Sequence, residues 1–350
     1  VRTDRCGGPC SFLLVRFSDK DLFIMAHNIR ENDNMIAVGT TPWHGLGVTL
    51  KEAPETALKA LQLAQLDWEV RKLPMQTETG RAVVLAGSVS ESNDGRHGVI
   101  ERVDTREFLG VVGPAYQPYQ NRQLANLFEP LVKDKTVTIE TCGSLFNGRR
   151  VWMLAKFGQD IAIAAGDDVA KYLLLAHGHD GQMSAHFGFT PIRVVCHNTL
   201  SAAMRGEESK LVRCLHTSNL GKNLEILRES IVAGEQMFEV TAEVFRKLAS
   251  KGVSKADLKE FARVVIDGDE DEKKWTRPEQ AKIKMIVENA TKGKGNSGSN
   301  WWHAYNGVTE YVCWQAGRSA DKRLSESWWG EGRKMSQKAL NAATVMAGLV

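Results

Sequence analysis

TVTIETCGSLFNGRRVWMLAKF, residues Thr136–Phe157, decides how the rest of the chain is read. Thr136–Thr141 and Arg149–Phe157 are β-prone runs separated by Gly143–Gly148. Asn147 and Gly148 both tolerate positive φ, so the stretch predicts a β-hairpin. The apolar run Tyr172–Ala176 adds a strand, and Arg193–Arg205 predicts a strand running straight into a helix. The core of the fold is therefore expected between Ile139 and His216, with the remaining chain packed around it.

Toward the N-terminus, Ala57, Leu58, Leu61 and Leu66 lie on one face of a helix over Thr56–Leu66, and Leu66–Val70 is strand-like. Arg81–Gly113 alternates short β-prone pieces with Gly and Asn-Asp turns, which predicts a meander. The period then changes. Leu124, Leu127, Phe128 and Leu131 form a helical stripe within Tyr116–Val132, with Asn121 as its expected cap and Pro130 expected to end or kink it. Residues 1–24 read as a disordered extension that carries Cys6 and Cys10.

Toward the C-terminus, apolar residues at three- and four-residue steps from Leu220 to Leu248 predict one amphipathic helix of about 30 residues on the 3.6-residue period. Ser254 caps a second helix to Val265, which the acidic run Asp267–Glu272 ends, and Lys282–Glu288 belongs to a third. Residues 291–300 are rich in Gly and Ser and read as a flexible loop. Beyond it Trp301, Tyr305, Val308 and Val312 share a helical stripe, as a core or a subunit contact does. The expected fold class is α+β: an antiparallel meander and hairpin sheet with packed helices over residues 25–217, then a mainly helical region over 218–350.

Composition narrows the function classes. With 43% hydrophobic and 25% charged residues among 350, the chain has the make-up of a globular protein. A formal charge of +3 does not mark a nucleic-acid binder in bulk, so only a local concentration of Lys and Arg can carry that reading. The six cysteines lack the paired spacing of a zinc knuckle or a disulfide scaffold, which suggests reduced thiols and a cytoplasmic setting. No apolar run approaches the roughly 20 residues that span a bilayer, so no membrane partner is expected.

Four groups of residues have chemical potential. His177, His179, Asp180 and His186 fall within ten positions, and strand alternation puts the first two on one face, a possible transition-metal site. Cys196 and His197 are neighbours whose side chains diverge in a strand, so they do not form a nucleophile and base. Basic residues gather on the expected sheet and the segment after it: Arg149, Arg150, Lys156, Lys171, Arg193, Arg205, Lys210 and Arg213. Arg150 and Trp152 share a strand face, and a basic groove with an aromatic platform binds single strands by phosphate neutralisation and base stacking. The loop Lys292–Asn300 has the composition of a phosphate-binding loop without its GxxxxGK[ST] order.

From Met25 onward the chain resembles the phage/plasmid-like protein family of bacterial mobile elements. The resemblance rests on Pro42–Gly47 (PWHGLG), Leu66–Val70 (LDWEV), Phe108–Asn121, Thr141–Trp152, Arg193–Leu200 and Ala304–Val312. At fold level the meander, hairpin and helix order is similar to Rad52-type strand-annealing proteins. That similarity implies a homo-oligomer that holds one DNA strand in a basic groove, in recombination or replication, without metal or nucleotide. Arg149, Arg150, Lys156, Arg193 and Arg205 would meet phosphates and Trp152 would stack. The alternatives are a metal-dependent enzyme or anti-host factor using the histidine cluster, and a homo-oligomeric assembly protein without catalysis.

Overall fold

The structure, a computed structural model, describes residues 34–39, 47–84, 95–183, 185–193, 198–199, 213–214, 220–296, 299–317 and 319–349; of residues 186, 193, 198–199, 213–214, 220–224, 227 and 320–321 only the backbone is described. The fold is α+β, with mostly antiparallel sheets in the N-terminal part and a helical C-terminal part.

The hairpin is the centre of the larger sheet. β6 (Val137–Leu145) and β7 (Arg150–Phe157) pair antiparallel, and Phe146, Asn147 and Gly148 between them all have positive φ. The first strand runs through Gly143–Leu145, which the sequence reading assigned to the connection, because the reversal is completed within the four residues Phe146–Arg149, the first three of them left-handed. β9 (Asp167–Gly178) pairs with β7, and β10 (His186–Arg193) pairs with β9. β1 (Met35–Val38) joins β6, and β2 (Val48–Leu50) adds the sheet's parallel pairing with β1. Short strands β8 (Ile161–Ala164), β11 (Asn198–Thr199) and β12 (Arg213–Cys214) complete nine strands among the described residues. Asn198–Thr199 turns back to pair antiparallel with Ile192–Arg193. The strand that was expected to continue into a helix from Arg193 therefore stops there; most of Arg193–Arg205, with Cys196, His197 and Arg205, lies outside the described residues.

The meander is a second sheet of β3 (Val70–Pro74), β4 (Gly98–Arg102) and β5 (Phe108–Val112), all antiparallel. It docks on the turn that follows β9. Tyr116 Oη donates to Gly178 O at 3.0 Å, and a Cβ at Gly110 would lie 2.6 Å from the Asp180 Cα, so only glycine permits the approach.

Helices α1 (Ala57–Leu63) and α2 (Asn121–Lys133) cover the β6 side of the larger sheet. Gln120, not Asn121, caps α2: its backbone N–H donates to Gln123 Oε1 at 2.7 Å. Pro130 neither ends nor stops the helix, which continues to Lys133. The carbonyl that its missing N–H leaves over belongs to the exposed Asn126, where water can replace it.

The long helix α3 (Leu220–Ser250) has the length its period predicts and lies over the same sheet face, with Phe238 against Phe157 and Phe189. Lys171 is buried beneath it and donates to Glu235 at 2.6 Å, so this predicted surface cation is an internal tie between β9 and α3. α4 (Lys255–Val265) starts at Ser254, whose Oγ accepts from Asp257 N–H, as predicted. α5 (Arg277–Lys292) and the almost wholly buried α6 (Trp301–Glu310) form the centre of the helical part. Trp302 is fully buried there and donates to Asp167 Oδ2 at 2.8 Å. The stripe Trp301, Tyr305, Val308, Val312 is therefore core. α7 (Ala320–Trp329) crosses to the opposite face of the sheet, and α8 (Glu331–Met346) packs back on α6. No described helix is long and apolar enough to cross a membrane.

Candidate functional site: a histidine pair and an arginine and tryptophan face

β9 delivers His177 and the turn after it delivers His179. The two rings meet edge to face, 4.5 Å between centroids, and both are wholly buried. Each Nε2 lies on one atom, Asn121 Oδ1, at 3.0 and 2.9 Å. The amide cannot be turned the other way, because Asn121 Nδ2 donates to Leu66 O at 2.8 Å. An oxygen only accepts, so both imidazoles carry the proton on Nε2. Tyr119 closes the side of His177, and Trp68 that of His179, with the Arg102 guanidinium stacked 4.3 Å over the Trp68 ring and paired with Asp104. Burial, then the neighbouring His177 and then Arg102 hold the proton affinity of His179 well below the ordinary imidazole range. The pair is thus a wholly buried joint between the larger sheet, α2 and the chain leading into β3.

Asp180 is spent in its turn, its carboxylate accepting from Gln182 N–H at 3.0 Å. His186 has its backbone paired with Ala176. Among the described residues no group of three or more His, Cys, Asp or Glu is arranged to hold a metal ion. The structure thus brings together His177 and His179 from the predicted cluster, and their partner is an amide that was read as a helix cap.

The basic residues distribute differently. Arg149 is exposed beside the hairpin turn, and its carbonyl accepts from His179 N–H at 2.7 Å. Arg150, Trp152 and Lys156 alternate along β7 on the face opposite α3. Lys156 pairs with Asp160 at 2.8 Å near the surface. Arg150 donates to Ser325 Oγ of α7 and lies 5.3 Å from the Phe146 ring centroid. Trp152 is only 3% exposed, edge-on to Trp328 at 5.2 Å, in a small apolar cluster with Met35, Leu145, Leu154, Leu174 and Ala176. A base cannot reach its ring while α7 is in place. Sequence reading missed Ser325 and Trp328 because they are more than 170 positions from Arg150 and Trp152.

Comparison with known proteins finds no match among curated proteins or among solved structures. The profile of one family matches residues 108–329, well over half of the chain, from β5 through α7. That span contains Asn121, the histidine pair, and both sides of the β7 and α7 contact. On this evidence the chain belongs to the family described as domain of unknown function DUF932.

Proposed function

We propose that the chain binds single-stranded DNA, as an annealing or single-strand-binding protein of a phage or plasmid that assembles as a homo-oligomer. The observation that carries the reading is the face of β7. Arg150 and Lys156 alternate on it and Arg149 is exposed at its start, while Arg150 has no carboxylate partner among the described residues. Cations at the two ends of the strand, to either side of the part that α7 covers, suit a phosphate backbone, which needs positive charge at intervals and no base-specific donors. Support for the mobile-element setting comes from the sequence resemblance to phage/plasmid-like proteins. With Trp152 buried, phosphate neutralisation has the larger share in this reading, and Trp329, partly exposed beside Trp328, is the aromatic surface nearer the solvent.

Binding of a fluorescent oligonucleotide as a function of salt tests it. If Arg149, Arg150, Lys156, Arg193 and Arg205 each meet a phosphate, log K falls against log salt with a slope of about −3.5, at roughly −0.7 per phosphate. Arg149→Ala and Lys156→Ala are each expected to reduce that slope by about 0.7. Absence of affinity even at low salt ends the proposal, and a monomeric mass in solution ends its assembly part.

A further inference from the structure

An antiparallel sheet packed on one side ordinarily shows polar residues on the other. The meander departs from this. Val70, Ile100, Leu109 and Val112 fill its inner face and are buried. On the outer face Arg71, Glu101 and Phe108 lie in register across the three strands, and Leu73, Val99 and Val111 form the next row. Leu109 has no partner opposite it on β4, so the strand bulges there; Leu109 turns inward and both Phe108 and Val111 face out, 60% and 56% exposed. Among the described residues, four of the eight exposed large hydrophobic side chains fall between Val84 and Val111, and Phe108 is the one aromatic ring of the eight. That concentration marks a face that meets something.

Charge says what. The Glu101 carboxylate is covered and accepts from Arg71 Nε and Nη2 at 3.0 and 2.8 Å and from Arg106 Nη1 at 3.2 Å. One carboxylate thus fixes two guanidinium groups, which are 46% and 61% exposed and leave a net positive charge. Arg71 Nη1 and Arg106 Nε and Nη2 make no hydrogen bond among the described residues. Opposed side chains on neighbouring strands stand about 5 Å apart, so the Phe108 ring and these two cations are neighbours. A flat apolar ring beside held cations matches a nucleotide, whose base stacks while its phosphate is neutralised. Size points the same way. Three strands of five residues offer a face of about 240 Å², well short of the roughly 800 Å² that each partner of a stable protein contact contributes.

We propose that the outer face of the meander is a base-stacking platform for single-stranded DNA, with one base on Phe108 and its phosphate on Arg71 and Arg106. Glu69 stands two positions before Arg71, so the bound strand runs the other way, over Leu73, Val99 and Val111. The choice of DNA rests on the single-strand reading above, but the platform uses none of the β7 residues.

The test measures fluorescence anisotropy of labelled oligo-dT and of an abasic oligonucleotide of equal length and charge, with the full-length protein over a series of salt concentrations. Wild type is expected to bind oligo-dT more tightly than the abasic strand by roughly 5- to 150-fold, the range for one stacked base. Phe108→Ala should bring oligo-dT down to the abasic affinity, and Phe108→Trp should keep the preference. The side chain is exposed, so circular dichroism should be unchanged in both. Arg71→Gln combined with Arg106→Gln should weaken both oligonucleotides and make the salt slope shallower by about 0.7, whereas Arg149→Ala and Lys156→Ala should leave the preference for bases intact. No preference in wild type, or a preference that survives Phe108→Ala, overturns the platform; an unchanged slope in the double arginine variant overturns its phosphate contact. Binding without base preference that still responds to Arg149→Ala and Lys156→Ala leaves the β7 reading and removes this one. A base preference lost in Phe108→Ala, with no response to the β7 variants, does the reverse, and no affinity for either oligonucleotide at low salt ends both.

Discussion

Replacing Asn121 with alanine removes one amide that serves three buried groups: the Nε2–H of His177, the Nε2–H of His179 and the carbonyl of Leu66. Each buried polar group left without a partner costs about 1–3 kcal/mol. The three together set a range of about 3–9 kcal/mol, and water entering the space left by the amide brings the expected loss to about 4 kcal/mol. Urea unfolding followed by Trp fluorescence measures it, and the slope with denaturant should stay near wild type if only the native state is affected. A loss below about 1 kcal/mol at unchanged slope would refute the claim that this amide holds the joint together.

The same site fixes a pH dependence. His179 in the folded chain binds its proton well below the usual imidazole value of 6.5, and unfolding restores that value. Below about pH 6.5 the unfolded chain therefore takes up a proton that the native chain refuses, and stability falls as pH falls. The contribution is fully present above that pH and is lost at up to about 1.4 kcal/mol per pH unit on the way down to the folded value. His179→Gln should flatten this slope between pH 6.5 and 5; an identical slope in wild type and variant would remove His179 as its source.

Three further outcomes follow from the packing. Glu235→Ala strands the buried ammonium of Lys171, whose side chain is 6% exposed against 42% for Glu235; because the carboxylate is partly solvated, the expected loss is about 2 kcal/mol, below the range for fully buried pairs, and Lys171→Met should cost less. Gly158→Ala would place a Cβ 2.6 Å from Glu235 Oε1 and 2.7 Å from Lys171 Nζ at a φ of 59°, so it should destabilise by about 1–3 kcal/mol in the same urea assay, and a neutral result would contradict the close approach. Burial pushes the Cys142 thiol well above its ordinary value, and its Sγ contacts Ala60 O, so mass spectrometry after brief alkylation should find Cys142 modified only under denaturing conditions.

The parts of the fold that were legible in advance are those that a few consecutive residues decide. Asn147-Gly148 marks the hairpin because both residues accept the left-handed region, and Phe146 joins them there. The 31 residues of α3 follow from apolar spacing, and Ser254 caps α4 as its hydroxyl predicts. Asn121 shows the limit of local reading. Its position just before a helical stripe suggested a cap, yet its amide is turned inward to a carbonyl 55 positions back and two imidazoles more than 50 positions ahead. Lys171 was read as a surface cation for the same reason, since nothing nearby in sequence reveals that Glu235 covers it.

By itself the sequence determined the hairpin, the length of α3, the nearness of His177 and His179, and the sharing of one strand face by Arg150 and Trp152. Backbone preference and side-chain period act over a few residues, and both are written in the local sequence. Only the tertiary structure decided what each of those side chains meets: an asparagine amide for the histidines, and Ser325 and Trp328 of α7 for Arg150 and Trp152. Burial is a property of the surface that arrives from elsewhere in the chain, so whether a charged or aromatic residue faces solvent, a core or a ligand is settled when distant helices pack.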